Sequence, residues 1–353
     1  MPSHQPPNTF RPSRPIAPHT TMLTRRQLWG LLVLTLMWGV NWPMMKLSLQ
    51  QLTPLYFRAS TMLLGAAWLF VYLALRTGAR MWPRGREWGA IVLLGLPNVL
   101  GWHTLSIFGV QELASGRAAI LGFTMPIITV VLGALFFAEP ITPRVRLAVL
   151  CAALAIGLLL WNELQRLSGR PTGVAWMLGA ALCWSVGTLM FRRAHLTLSP
   201  LVVTVWMLLL GALALWPLAL LLEPAPHVAA FSAPMWLSLA YGVLVNYGVA
   251  QLIWFSMARD LPPAVSGMSV LAIPLVGTLS ATFIVGERPH WQDWLAMLFV
   301  MLAIASVLWP ARPARATAAA TEPLAKPPAE PLAEPALAPP AAPPATGTAG
   351  TAQ

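Results

Sequence analysis

The sequence predicts an all-α membrane protein, ten transmembrane helices arranged as two inverted five-helix repeats. Three observations carry that expectation: the composition, a series of apolar runs of membrane-crossing length, and residues that recur at a constant offset. Of 353 residues, 57% are hydrophobic and only 9% charged. A soluble domain carries about a quarter charged residues, and a soluble fold could not hide this much apolar surface. A bilayer can, provided each crossing satisfies its own backbone hydrogen bonds, which takes a helix of about 20 mostly apolar residues. The runs are continuously apolar rather than alternating, which excludes the strands of a membrane β-barrel.

Taken in order, residues 1–27 are polar and Pro-rich and are expected to form a disordered cytoplasmic leader, with Met22 as an alternative start to Met1. The expected spans are 28–49, 54–75, 87–108, 112–137, 144–161, 172–191, 200–222, 235–257, 262–285 and 290–309. Residues 28–161 make the first five-helix repeat and 171–309 the second. From 311 to 353 the chain turns Ala/Pro-rich, a composition that cannot bury a core and is expected to stay disordered in the cytoplasm. Cys151 and Cys183 both lie inside apolar runs and read as small core hydrophobes.

Charge sets the orientation. With the N-terminus inside, sixteen Lys and Arg residues fall on inner loops and tails, and five (Lys46, Arg117, Arg166, Arg170, Arg288) fall outside. The loop at 76–86 carries four arginines, while the connection at 223–234 carries none. Both termini are therefore expected in the cytoplasm. The same distribution turns the basic excess into a topology signal, so no nucleic-acid partner is expected.

The repeat is read directly from the chain. An offset of 146 lays Trp38, Lys46, Pro54 and Gly65 on Trp184, Arg192, Pro200 and Gly211. An offset of 148 lays Trp88, Asn98, Pro126, Glu139 and Trp161 on Trp236, Asn246, Pro274, Glu287 and Trp309. Because five is odd, the second copy must enter the membrane from the opposite side. Inverted repeats of this kind build alternating-access transporters with a solute site between the halves.

Polar and aromatic groups at membrane depth mark the candidate site. Trp38, Trp42 and Lys46 form a stripe on the first span, flanked by Asn41; Asn98 and Trp102 share a face of the third, beside His103; Tyr247, Gln251 and Trp254 line the eighth, beside Asn246. They are expected to line a cavity for a small amphipathic or aromatic solute; interhelical hydrogen bonding by the amides is the alternative. Two readings stand for Lys46, an anchor for an anionic solute or a helix-end anchor. Two also stand for His103, proton relay or simple hydrogen-bond partner. Pro126 and Pro274 are read as paired hinges, with packing bends as the alternative. Arg58 is read as structural, snorkelling outward or pairing with Glu112 or another group. Core carboxylates are placed only at helix ends (Glu112, Glu139, Asp260, Glu287), so coupling through a mid-membrane carboxylate is not expected.

These residues resemble the EamA-type branch of the drug/metabolite transporter superfamily. Trp38-Gly39-Val40-Asn41 with Lys46 looks like its W-G-x-N…K signature, Pro54 and Arg58 match its second helix, and Ser115-Gly116-Arg117 with Pro126 and Glu139 looks like its fourth. Pro274 and Gly286-Glu287-Arg288 repeat that last pattern. The resemblance implies a ten-helix carrier exporting small metabolites, often amino acids, across the bacterial inner membrane. It departs at Gly187 and Thr204, which stand where Asn41 and Arg58 stand in the first half. The expected partners are a small-molecule solute and the lipid bilayer, with a homodimer left open; no cofactor, metal or catalytic constellation is expected. Two other classes stay open: an intramembrane serine hydrolase using Ser115 or Ser266 with His103 or His195, and a nontransporting sensor or assembly subunit.

Overall fold

The computed structural model describes residues 24–76, 78, 80–137, 141–165, 170–258 and 272–308. The chain divides after Pro310, and 311–353 lies outside the described residues, as do 1–23. The described part is all helical. Eight helices are long and apolar enough to cross a membrane: α1 Arg25–Ser48, α2 Pro54–Arg76, α3 Gly85–Glu112, α4 Ser115–Phe137, α5 Pro143–Gln165, α6 Pro171–Arg193, α7 Pro200–Leu222 and α8 Ala233–Ser256. Two shorter apolar helices follow, α9 Ile273–Ile284 and α10 Trp291–Leu308. The expected ninth span begins at 262, and its residues 262–271 lie outside the described ones.

Helix ends differ from the expected bounds where polar residues extend a helix past the hydrocarbon. α1 starts at Arg25, inside the segment expected to be disordered, because Thr24 and Gln27 form a reciprocal capping box that holds its first free N–H groups. α5 runs on to Gln165, and its last turns carry Glu163, whose role emerges below.

Two crossings are interrupted at matched places. The middle of α3, Leu96–Gly101, and the middle of α8, Tyr241–Val249, are π-helical, and they hold Asn98 and Asn246 respectively. Such widened turns are rare, and they concentrate at functional sites. The crossing expected as one rod at 112–137 breaks after Gly122 and restarts at Met125, so Pro126 is the second residue of a new helical segment. Pro274 likewise is the second residue of α9. At that position a proline's missing N–H costs nothing and its fixed φ suits the helix.

The helices pack in a pattern of exchangeable pairs. α2 lies along α7 and α5 along α10; α1 meets α9 as α4 meets α6; α1 meets α8 as α3 meets α6; and α2 meets α8 as α3 meets α7. Close approach is arranged by small residues, as helix contacts in membranes require. A Cβ on Gly39 of α1 would stand 2.4 Å from Val276 of α9, and one on Gly65 of α2 would stand 2.4 Å from the Tyr247 Cβ of α8. Large apolar side chains cover the outside: Phe283 is 86% exposed and Leu221 80%, as a surface turned to lipid requires.

Candidate functional site

At one end of the bundle several polar side chains are tied to helix termini. The turn after α9 explains the Gly286-Glu287 motif. Gly286 takes φ 71°, open to glycine without strain, and the Glu287 N–H then bonds back to the Ala281 carbonyl, folding the chain over the end of α9. That turn delivers the Glu287 carboxylate to α4, where it accepts from the Ser115 N–H at 2.6 Å and the Gly116 N–H at 3.2 Å. A carboxylate at a helix N-terminus meets the free N–H groups and the positive end of the dipole. Ser115 is thus engaged through its backbone, and Ser266 lies outside the described residues. Glu223 does the same for α2, accepting from the N–H groups of Leu55 and Tyr56.

Lys46 supplies the opposite cap. Its Nζ donates at 2.8 Å to each of the carbonyls of Val110, Gln111 and Leu113, where α3 ends. An ammonium has three protons, and all three are used on the negative end of a helix. Lys46→Met should therefore cost about 1–3 kcal/mol of stability, because it strips hydrogen bonds to a charged donor, while Lys46→Arg should retain part of it. Comparison of unfolding midpoints in detergent checks this; a midpoint unmoved in Lys46→Met would contradict the cap.

Beneath these caps lies an ion cluster that the sequence reading missed. Arg117 of α4 is buried, its Nε donating to Asp293 of α10 at 2.6 Å, with a second guanidinium nitrogen paired to Glu163 of α5. Glu163 and Asp293 are themselves buried. Placing core carboxylates only at Glu112, Glu139, Asp260 and Glu287 was incomplete for this reason. The signal was present: Arg117 falls inside an apolar run and needs a counterion, and Glu163 and Asp293 lie at helix ends on the same side of the expected topology. Glu112 instead pairs with the Thr172 hydroxyl, and Glu139 and Asp260 lie outside the described residues.

Deeper in the bundle the predicted site residues separate into two groups. In the first, α1, α2, α3 and α8 converge. The Tyr247 hydroxyl sits 3.2 Å from His103 Nδ1 and 3.3 Å from a terminal nitrogen of Arg58, while the Arg58 Nε donates to the His103 carbonyl at 3.1 Å. Arg58 is buried and does not reach Glu112: its other amino group meets the Ser106 hydroxyl at 3.1 Å and the Met45 sulfur at 3.0 Å. Trp254, two turns beyond Tyr247, packs on Trp38 at a centroid distance of 5.5 Å, which joins the α1 and α8 stripes. Asn41 and Gln251 are partly buried on the same two helices.

The second group faces α6. Trp102 packs on Trp184 at 5.3 Å, and Asn98 lies directly over Gly187, where a Cβ would approach its side chain to 2.3 Å. The Asn98 amide donates to the Leu94 carbonyl in its own helix. Gly187 in place of a second asparagine is what admits Asn98. Trp42 is buried against Phe123 beside the break in α4, and Asn246 is buried within the α8 π-turn. A separate cleft of about 590 Å³ lies between α3, α4 and α6, lined by residues such as Leu94, Phe136, Val186 and Met190, with Arg193 stacked on Phe137. It takes in none of the predicted site residues.

A bundle of apolar helices with buried polar and aromatic groups, broken crossings and capped ends defines a polytopic membrane protein of the solute-carrier kind. Residues 26–161 and 171–309 each match the EamA-like transporter family, and the chain belongs to that family. Among its relatives are the uncharacterized transporter YoaV of Bacillus subtilis strain 168, 22% identical over 70% of this chain and 84% of the relative. Another is the uncharacterized inner membrane transporter YedA of Escherichia coli K12, 24% identical over 80% of this chain and 92% of the relative. A solved crystal structure shares the fold with a TM-score of 0.56 at 19% identity, over 79% of this chain and 95% of that one.

Proposed function

We propose that this protein is an inner-membrane carrier that exports small metabolites such as amino acids, working by alternating access between two inverted five-helix units. The observation that carries the reading is the exchange pattern of the contacts. Swapping α1–α5 for α6–α10 sends each principal packing pair either to itself or to another observed pair. The family matches split the chain at the same place, 26–161 and 171–309, and the π-turns holding Asn98 and Asn246 fall at equivalent points of the two units. Two such units can rock about a shared site, opening it to each side in turn. In this reading the first polar group and the Trp38–Trp254 pair form one wall, Asn98 with Trp102 and Trp184 the other, and Pro126 and Pro274 mark where the broken crossings flex. Both termini lie in the cytoplasm, and the carrier works as a single chain or as a homodimer.

The test is accumulation of a labelled panel of amino acids and metabolites in inside-out vesicles, with and without a proton gradient. At least one solute should enter faster than in vesicles bearing the Asn98→Ala, Tyr247→Ala double variant. Equal rates across the whole panel would remove the carrier reading.

A further inference from the structure

Three cations are drawn into the interior of this bundle, and two of them have an evident counterpart. Arg117 has two carboxylates, and Lys46 has the carbonyl end of a helix. Arg58 has neither. It is 3% exposed, and the acceptors around it are neutral: the His103 carbonyl, the Tyr247 and Ser106 hydroxyls, and the Met45 sulfur. Among the described residues no carboxylate lies within ion-pair distance of it, and the Phe57 ring approaches its guanidinium carbon at 5.8 Å. A guanidinium cannot shed its charge to escape burial. Holding one in an apolar interior with only dipoles for company is expensive, and such residues within membrane spans mark solute pathways.

We propose that Arg58 receives the carboxylate of the transported solute. The Tyr247 hydroxyl and the Met45 sulfur are then the acceptors that the carboxylate displaces. Both are poor matches for a charged fork: a sulfur accepts weakly, and a single hydroxyl cannot take two parallel N–H bonds. A carboxylate can, and that bidentate pairing is the strong one. The remaining contacts stay in place and aim the fork, with Nε fixed on the His103 carbonyl and one amino nitrogen on Ser106. Tyr247 sits in the π-turn of α8, and a local change of hydrogen-bond register in that turn would swing its side chain aside. This supplies a movement that takes its hydroxyl off Arg58. The Trp38–Trp254 pair on the neighbouring turns offers an apolar wall for the rest of the solute.

This inference rests on the carrier reading for its physiological meaning, but binding tests it independently of transport. The full-length protein in detergent micelles is titrated with each proteinogenic amino acid, its primary amide and its decarboxylated amine, following tryptophan fluorescence and the unfolding midpoint. One or more amino acids should bind, with the matching amide and amine at least about tenfold weaker, the loss of a charged bidentate pair. Arg58→Gln should lose that preference and Arg58→Lys should keep part of it. Tyr247→Phe, which removes the competing hydroxyl and keeps the ring, should bind the acid a few-fold more tightly, an effect a purely structural arginine would not produce. The proposal is overturned if no acid binds better than its amide and amine, or if Tyr247→Phe and a folded Arg58→Gln both bind acids as the wild type does. Acid-selective binding without movement in vesicles would sink the carrier reading and leave the carboxylate site standing.

Discussion

Replacing Arg117 with methionine should cost about 3–5 kcal/mol of stability, the largest effect expected of any single substitution in the chain. The reason is arithmetic of charge in a place without water. Arg117, Glu163 and Asp293 are 4%, 7% and 4% exposed, and the arginine is the cation shared by both acids. Removing it strands two buried carboxylates close together, with only backbone donors such as the Arg170 and His290 N–H groups to hold them. The penalty belongs to the abandoned charges rather than to the lost arginine. A triple variant, Arg117→Met with Glu163→Gln and Asp293→Asn, should therefore recover much of the loss. Unfolding in mixed micelles, followed by tryptophan fluorescence, measures both. If the single variant unfolds with the wild-type midpoint, or the triple variant is worse than the single, the cluster is not the buried tie that its geometry describes. The tie spans α4, α5 and α10, so a weakened variant should also open that end of the bundle.

Gly65→Ala is expected to be the most damaging small substitution in the interior. The new methyl would lie 2.4 Å from the Tyr247 Cβ and 3.1 Å from its Cγ. A Cβ is fixed to the backbone, so α8 itself must withdraw, and overpacking of this kind costs about 1–3 kcal/mol. Withdrawal also lifts the Tyr247 hydroxyl from Arg58 and His103, so solute movement should fall more than stability does. The repeat supplies the control. Gly211 is the matching residue of α7, but there the nearest atoms are Val99 Cγ1 at 2.8 Å and the terminal methyl of Met62 at 2.9 Å. A flexible side-chain end can turn aside, so Gly211→Ala should be the milder of the pair in both unfolding and vesicle uptake. A reversed order would show that the α2–α8 contact does not control the site.

Much of the architecture was legible in the residues because the bilayer is a demanding solvent. The length and apolarity of each run can be read along the chain, and these placed α1 to α8 to within a few residues. The constant offsets located Asn98 with Asn246 and Pro126 with Pro274, and those residues occupy matched π-turns and matched helix starts. What stayed hidden was direction. Helical spacing puts Trp38 and Trp42 on one stripe, yet Trp38 meets Trp254 while Trp42 is buried against Phe123. Asn98 and His103 are five residues apart and meet different partners, Gly187 of α6 and Tyr247 of α8, which no spacing along α3 could name.

The sequence by itself determined the solvent, the long apolar helices and the residues that recur at a constant offset, since each is a property of one segment or of a fixed spacing. Only the tertiary structure decided how the charges are used. Lys46, Arg58 and Arg117 read alike in the chain, as isolated cations in apolar runs. In space one caps a helix end, one is neutralised by two acids, and one meets only neutral acceptors among the described residues. The cost of a buried charge depends on what stands within a few ångströms of it, and those neighbours come from helices far away in sequence.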